Sequence, residues 1–112
     1  MSDPILPTRQ ESKMYLVHDH PFAYATLTDF KPGHGLLQIH SDWGTYSMYW
    51  GAIGQDTTIA QFVTKVSESY IETKLQGQMH YMGCKKEAYG KLTKFMAQCW
   101  PRLKSEILKD LK

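Results

Sequence analysis

Two periodicities divide the chain. Up to Trp50 apolar and polar positions alternate, the period of strands; beyond Thr58 apolar positions recur every three or four residues, the period of helices. From Lys13 to His18, Met14, Leu16 and His18 stand opposite Tyr15 and Val17. From Phe22 to Phe30, Phe22, Tyr24, Thr26, Thr28 and Phe30 share one side, with Ala23, Ala25 and Leu27 on the other. Leu36 to His40 carries Leu37 and Ile39 on one face. Tyr46, Met48 and Trp50 form one face of a fourth strand, with Thr45, Ser47 and Tyr49 on the other. The β-branched and aromatic content of these runs supports strands. Lys31-Pro32-Gly33 reads as a turn with Pro at its second position and Gly at the residue needing positive φ. Asp42-Trp43-Gly44 reads as a three-residue hairpin loop with a bulge, Gly44 taking the left-handed conformation.

Thr58-Ile59-Ala60-Gln61 matches a capping box, in which a hydroxyl and an amide side chain satisfy backbone donors at a helix start. Ile59, Phe62, Val63, Val66 and Tyr70 follow at helical spacing and predict one helix from about Thr58 to Leu75, stopped by Gly77. Gln78 to Lys85 reads as a loop. A second helix carries Ala88, Tyr89, Leu92, Phe95, Met96 and Cys99 on one stripe and ends at Trp100-Pro101. Pro101 then opens a short last helix with Leu103, Ile107 and Leu111 inward.

The order predicts an α+β fold: an antiparallel β-meander of about four strands, then two or three helices packed on one face. At 112 residues the chain fits one domain, residues 13–112, behind a loose arm at residues 1–12 that holds two prolines and no periodic signal. No apolar run reaches the roughly 18 residues of a membrane span and the start lacks a signal-peptide pattern, so a cytoplasmic setting in a bacterial host and no membrane partner are expected. Cys84 and Cys99 suggest no disulfide framework and are expected to be buried or half-buried thiols.

Charge changes the picture more than composition does. Residues 85–112 hold eight Lys or Arg against three acids, a net of +5, whereas residues 1–84 hold five against eight, a net of −3. A basic C-terminal third suits a solvated helix face or a nucleic-acid footprint.

Catalytic signatures are lacking. There is no nucleophile elbow, no P-loop and no dinucleotide fingerprint, since Gly33-His34-Gly35 leads into a strand. His18 and His20 form an H-x-H pair that would share one face of a strand, but no third ligand stands at a recognisable spacing. No cofactor, no metal and no enzymatic activity are therefore expected.

The aromatic segment from His40 to Trp50 is the strongest candidate for contact. His40, Trp43, Tyr46 and Tyr49 are the candidate partner-binding residues, because aromatic rings dominate binding hot spots. The alternative partner is nucleic acid, with Lys85, Lys86, Lys91, Lys94, Arg102 and Lys104 tracking phosphates and bases stacking on exposed rings. A chain with two arginines, Arg9 and Arg102, makes that alternative weaker. Self-association through an exposed aromatic strand is a third reading, so monomer and homodimer both stay open.

Ser41-Asp42-Trp43-Gly44, Tyr46-Ser47-x-x-Trp50, Gly51 to Gly54, and the helix with Phe62 and Tyr70 leading to Lys74-Leu75 resemble a family of small, mostly uncharacterised accessory proteins encoded by bacteriophages and prophages. The resemblance covers about Leu37 to Leu75 and leaves out the N-terminal arm and the lysine-rich tail. Its motifs are structural, so it transfers no site. It implies a non-enzymatic module that binds a host protein and modifies or inhibits host machinery, in the manner of an anti-CRISPR inhibitor.

Overall fold

The computed structural model describes residues 11–17 and 22–111. Residues 1–10 of the arm expected over 1–12, and the pair His18 and His20, lie outside the described residues. Four strands, β1 (Ser12–Val17), β2 (Ala23–Lys31), β3 (His34–Ser41) and β4 (Gly44–Trp50), form one antiparallel sheet in the order β1-β2-β3-β4. Among the described residues four helices follow: α1 (Ile59–Lys65), α2 (Glu68–Tyr81), α3 (Lys86–Gln98) and α4 (Trp100–Asp110). This is the α+β meander the alternation predicts, with more helices than the two or three expected.

The β2–β3 and β3–β4 hairpins each turn on two residues. Lys31 pairs with His34 around Pro32-Gly33, and Gly33 takes φ 84°, the positive value its place in the turn requires. Ser41 pairs with Gly44 around Asp42-Trp43, so this loop is shorter than the three residues expected. The Ser41 hydroxyl tightens it, donating to the Gly44 carbonyl at 2.8 Å and accepting from the Trp43 amide at 3.2 Å. The expected bulge lies elsewhere, at Phe30, where the register slips between Asp29 and Lys31.

All four helices pack on one face. Registers align Tyr15 with Ala25, Ile39 and Tyr46, and Leu27 with Leu37 and Met48, and these rows meet the helical residues Ile59, Val63, Ile71, Leu75, Leu92, Phe95, Leu103 and Ile107. Small residues let the helices approach: Ala23 and Ala25 are fully buried, and a Cβ placed on Gly35 would lie 2.6 Å from the Cβ of Ile59. Asp29 fixes that crossing, its Oδ1 accepting from the Ile59 amide at 2.8 Å just inside the Thr58–Gln61 capping box.

The single helix expected over 58–75 is two. Val66 is extended, and Ser67 starts α2 by accepting from the Tyr70 amide at 3.1 Å. In an unbroken helix at about 100° per residue, Ile71 would point roughly 80° away from Val63. The break resets the phase, so Ile59 and Val63 reach β2 and β3 while Ile71, Leu75 and Met79 line up beside β4. Nor does Gly77 stop α2. The stop is Gly83 at φ 74°: its amide donates to the His80 carbonyl and the Cys84 amide to the Met79 carbonyl, each at 3.0 Å, the paired bonds of a Schellman ending. The predicted loop over 78–85 accordingly shrinks to residues 82–85. Among the described residues no helix is long and apolar enough to cross a membrane.

Candidate interaction surface

With the helices on one side, no described element covers the other side of the sheet. Its rows are Ser12, Met14 and Leu16; Tyr24, Thr26 and Thr28; Leu36, Gln38 and His40; and Thr45, Ser47 and Tyr49. None of these is Asp, Glu, Lys or Arg. A solvent-facing sheet surface without a formal charge lacks the usual protection against association.

Rings gather at both ends of this face, each group around a histidine. At one end Tyr24 stacks on His40 at 5.2 Å between centroids, and Phe22 meets both rings edge-on. Thr45 Oγ1 lies 3.3 Å from His40 Nδ1. At the other end the bulge turns Phe30 onto Tyr49 at 5.9 Å, and His34 Nδ1 is 2.7 Å from the Tyr49 hydroxyl. Tyr49 is 50% exposed, Phe30 40% and Met14 61%. Between the two groups lie Thr26, Gln38 and Ser47, short polar side chains able to donate and accept hydrogen bonds. On its outward side only Thr28 is buried, hydrogen-bonded to the Ser12 hydroxyl.

Two of the four expected partner-binding residues, His40 and Tyr49, stand on this open face. Tyr46 does not. It is 7% exposed on the helix side, 5.6 Å from the Phe95 ring, with its hydroxyl donating to the Trp43 carbonyl at 3.0 Å. Burial pushes its phenol up to about 12. Its place follows from the two-residue alternation that puts it with Ile39 and Ala25. Trp43, at the turn, is half-buried against the core. Sequence reasoning does not single out Phe22, Tyr24, Phe30 and His34. For the first three the signal is the alternation from Phe22 to Phe30, whose aromatic side is the open one because its alanine side admits the helices.

The basic residues divide. Lys94 Nζ sits 5.3 Å from the centre of the Trp43 ring, and Lys85 and Lys91 line a cleft of about 350 Å³ with Trp43, Tyr46, Met79, Cys84, Glu87 and Ala88. Lys86 is exposed at the start of α3, while Arg102 and Lys104 are half-buried on α4. The fold thus joins one aromatic ring to three of the six predicted cations. None of the six lies on the open face, which is built from strands alone.

Cys99 is buried as expected, and burial pushes its thiol up. Cys84 is exposed, contrary to expectation, because it follows the glycine that ends α2. Across the sheet edge, a cleft of about 550 Å³ between β1, α1 and α4 holds a closed network: the Tyr15 hydroxyl donates to Asp110 Oδ2 at 2.7 Å and Lys13 Nζ to the same oxygen at 3.3 Å. Desolvation and then that carboxylate raise Tyr15 to about 12, and the same two donors lower Asp110. Among the described residues no three His, Cys, Asp or Glu side chains converge as metal ligands would.

A family described as a phage family matches residues 8–110, well beyond the stretch that carried the resemblance and through the lysine-rich tail. No curated protein and no solved structure matches the chain.

Proposed function

The chain belongs to this phage family, and from that premise we propose that it is a non-enzymatic accessory protein that binds a host protein through the open face of its sheet. The observation that supports this most is the face itself: no described helix covers it, its described strand rows carry no formal charge, and it has a ring cluster at each end and hydrogen-bonding side chains between. Aromatic anchors around a centre free of charge are the composition of a protein-binding patch. Nucleic acid fits this face less well, because bases stacked on its rings would bring phosphates to strand rows that, among the described residues, hold no cation short of Lys31 at the hairpin end. The result of binding is obstruction or redirection of host machinery, with a defence nuclease, as in anti-CRISPR inhibition, one candidate target.

The test is affinity capture from host lysate, with and without nuclease, using the wild-type chain and a His40→Ala/Tyr49→Ala variant checked for folding by circular dichroism. The reading expects one host protein that survives nuclease treatment and is lost with the double variant. Capture that vanishes with nuclease, or is unchanged in the variant, contradicts it. Concentration-dependent light scattering from the pure protein that the variant abolishes would assign the face to a second copy instead.

A further inference from the structure

The outer edge of β4 carries a row of backbone groups without partners. The Asp42 amide donates to the Phe22 carbonyl at 3.0 Å, so in β3 the even-numbered residues turn their backbone groups toward β2, and Gly35, Leu37, Ile39 and Ser41 turn theirs toward β4. Their partners Trp50, Met48, Tyr46 and Gly44 face back toward β3. The N–H and C=O groups of Thr45, Ser47 and Tyr49 therefore point away from the sheet, where, among the described residues, they have no hydrogen-bond partner. All three residues are exposed. Met48, on the helix side, is only half-buried, so α2 and α3 do not close over the middle of the strand. Edges are normally blunted by a charge, a proline or a bulge. β4 has none of these: it contains no Pro, Asp, Glu, Lys or Arg, and its register with β3 is unbroken from Gly44 to Trp50. β1, the other edge, carries Lys13, and Asp110 of α4 bonds both Lys13 and Tyr15 there.

We propose that β4 pairs with β4 of a second copy, antiparallel across a two-fold axis, joining two four-stranded sheets into one. Only residues with outward backbone groups can make the bonded pairs. The register that uses the full strand sets Ser47 opposite the partner's Ser47 and Thr45 opposite the partner's Tyr49, each pair exchanging both of its N–H···O bonds. On the open face this places hydroxyl against hydroxyl at the axis and Thr against a ring beside it, cross-strand pairs that favour a sheet. No charge opposes a like charge, and a net charge of +2 leaves little repulsion between copies. A foreign extended segment would satisfy the same backbone groups, but β4 itself supplies a strand of matching length whose residues fit in this register. The open face of each copy stays free, so the dimer neither requires nor excludes a host protein there.

The experiment is sedimentation velocity of the full chain from micromolar to millimolar concentration, with circular dichroism to check the fold of each variant. Wild type should rise from the 12.9 kDa of one chain toward twice that mass as concentration increases. Ser47→Lys and Ser47→Glu each place like charges on the axis and should stay monomeric, whereas an equimolar mixture of the two should dimerise. Ser47→Pro removes one edge N–H, a change that an outer strand tolerates, and should also stay monomeric. His40→Ala/Tyr49→Ala alters side chains of the open face but no edge backbone group, and should still dimerise. A wild-type chain that stays monomeric at millimolar concentration overturns the proposal, as does a charge-swapped mixture that stays monomeric. So does a dimer that survives Ser47→Pro: its loss in His40→Ala/Tyr49→Ala would place the second copy on the open face, and its loss in Met14→Lys would place it on β1.

Discussion

Replacing Gly35 with Ala tests why the helices cover one face and leave the other free. A Cβ at position 35 meets three atoms of Ile59, at 2.6 Å for Cβ, 2.9 Å for Cδ1 and 3.0 Å for Cγ1, against 3.4–4 Å for ordinary contact. A rotamer change moves Cδ1 and Cγ1 away but not Cβ, which is set by the α1 backbone. That backbone is pinned by the Asp29 bond to the Ile59 amide and by the capping box. About 1 Å of separation must therefore come from moving the helix. Overpacking costs about 1–3 kcal/mol, and with the backbone held the upper half of that range, about 2–3 kcal/mol, is expected. On a domain of this size that lowers Tm by roughly 10–20 °C, with an unchanged urea m-value. Ile59→Ala removes the Cδ1 and Cγ1 contacts but keeps Cβ, so in a double-mutant cycle it recovers only part of the loss. A Gly35→Ala change below about 0.5 kcal/mol, or strict additivity with Ile59→Ala, would refute the crossing of α1 over β3 at this point.

Other glycines give the opposite sign. Gly77 lies inside α2 with nothing within 4 Å of a built Cβ, so Gly77→Ala should stabilise by about 0.5–1 kcal/mol in urea unfolding, whereas Gly83→Ala, at φ 74°, should cost about 1–2 kcal/mol. Alkaline pH should weaken the fold through two phenols. Tyr15 and Tyr46 are raised from 10.0 to about 12, so each contributes stability that is complete below pH 10 and lost as pH rises toward 12; Tyr15→Phe and Tyr46→Phe should each flatten that limb of a stability–pH curve. Asp110 runs the other way. Its carboxyl is lowered from 3.8, so its contribution is present above that value and lost as pH falls below it, and Tyr15→Phe, which removes the first of the two donors, should shrink the loss.

The strands, their faces and the capping box were legible because each rests on local rules. Alternation assigns Tyr46 and Tyr49 to opposite sides whatever the rest of the chain does, and Thr58 and Gln61 need only each other. What alternation leaves undetermined is which side the helices take. Phe22, Tyr24 and Phe30 look like the natural core side of β2, yet Ala23, Ala25 and Leu27 are buried, because close helix packing over Gly35 selects small residues. The same limit hid the site. Tyr46 and Trp43 are prominent in sequence but belong to the helix side, while His34 reaches Tyr49 through the β3–β4 register and Phe30 reaches it through the bulge in β2. Sequence reasoning places the helix end six residues early, at Gly77, but a glycine alone does not stop a helix; the bonds that do run from 83 and 84 back to 80 and 79. The Trp43–Lys94 contact joins positions 51 residues apart in numbering, a pairing set by the packing of α3 against β4.

The most direct test of the open face is hydroxyl-radical footprinting of the chain alone and in complex with the captured host protein. In the free chain Met14, Phe30 and Tyr49 on the open face, and Tyr81 and Met82 at the end of α2, are all exposed and should all be oxidised. A partner seated on the sheet should protect Met14, Phe30 and Tyr49 and leave Tyr81 and Met82 reactive. Protection of Tyr81 and Met82 with Tyr49 still oxidised would place the partner on the helices and contradict the account.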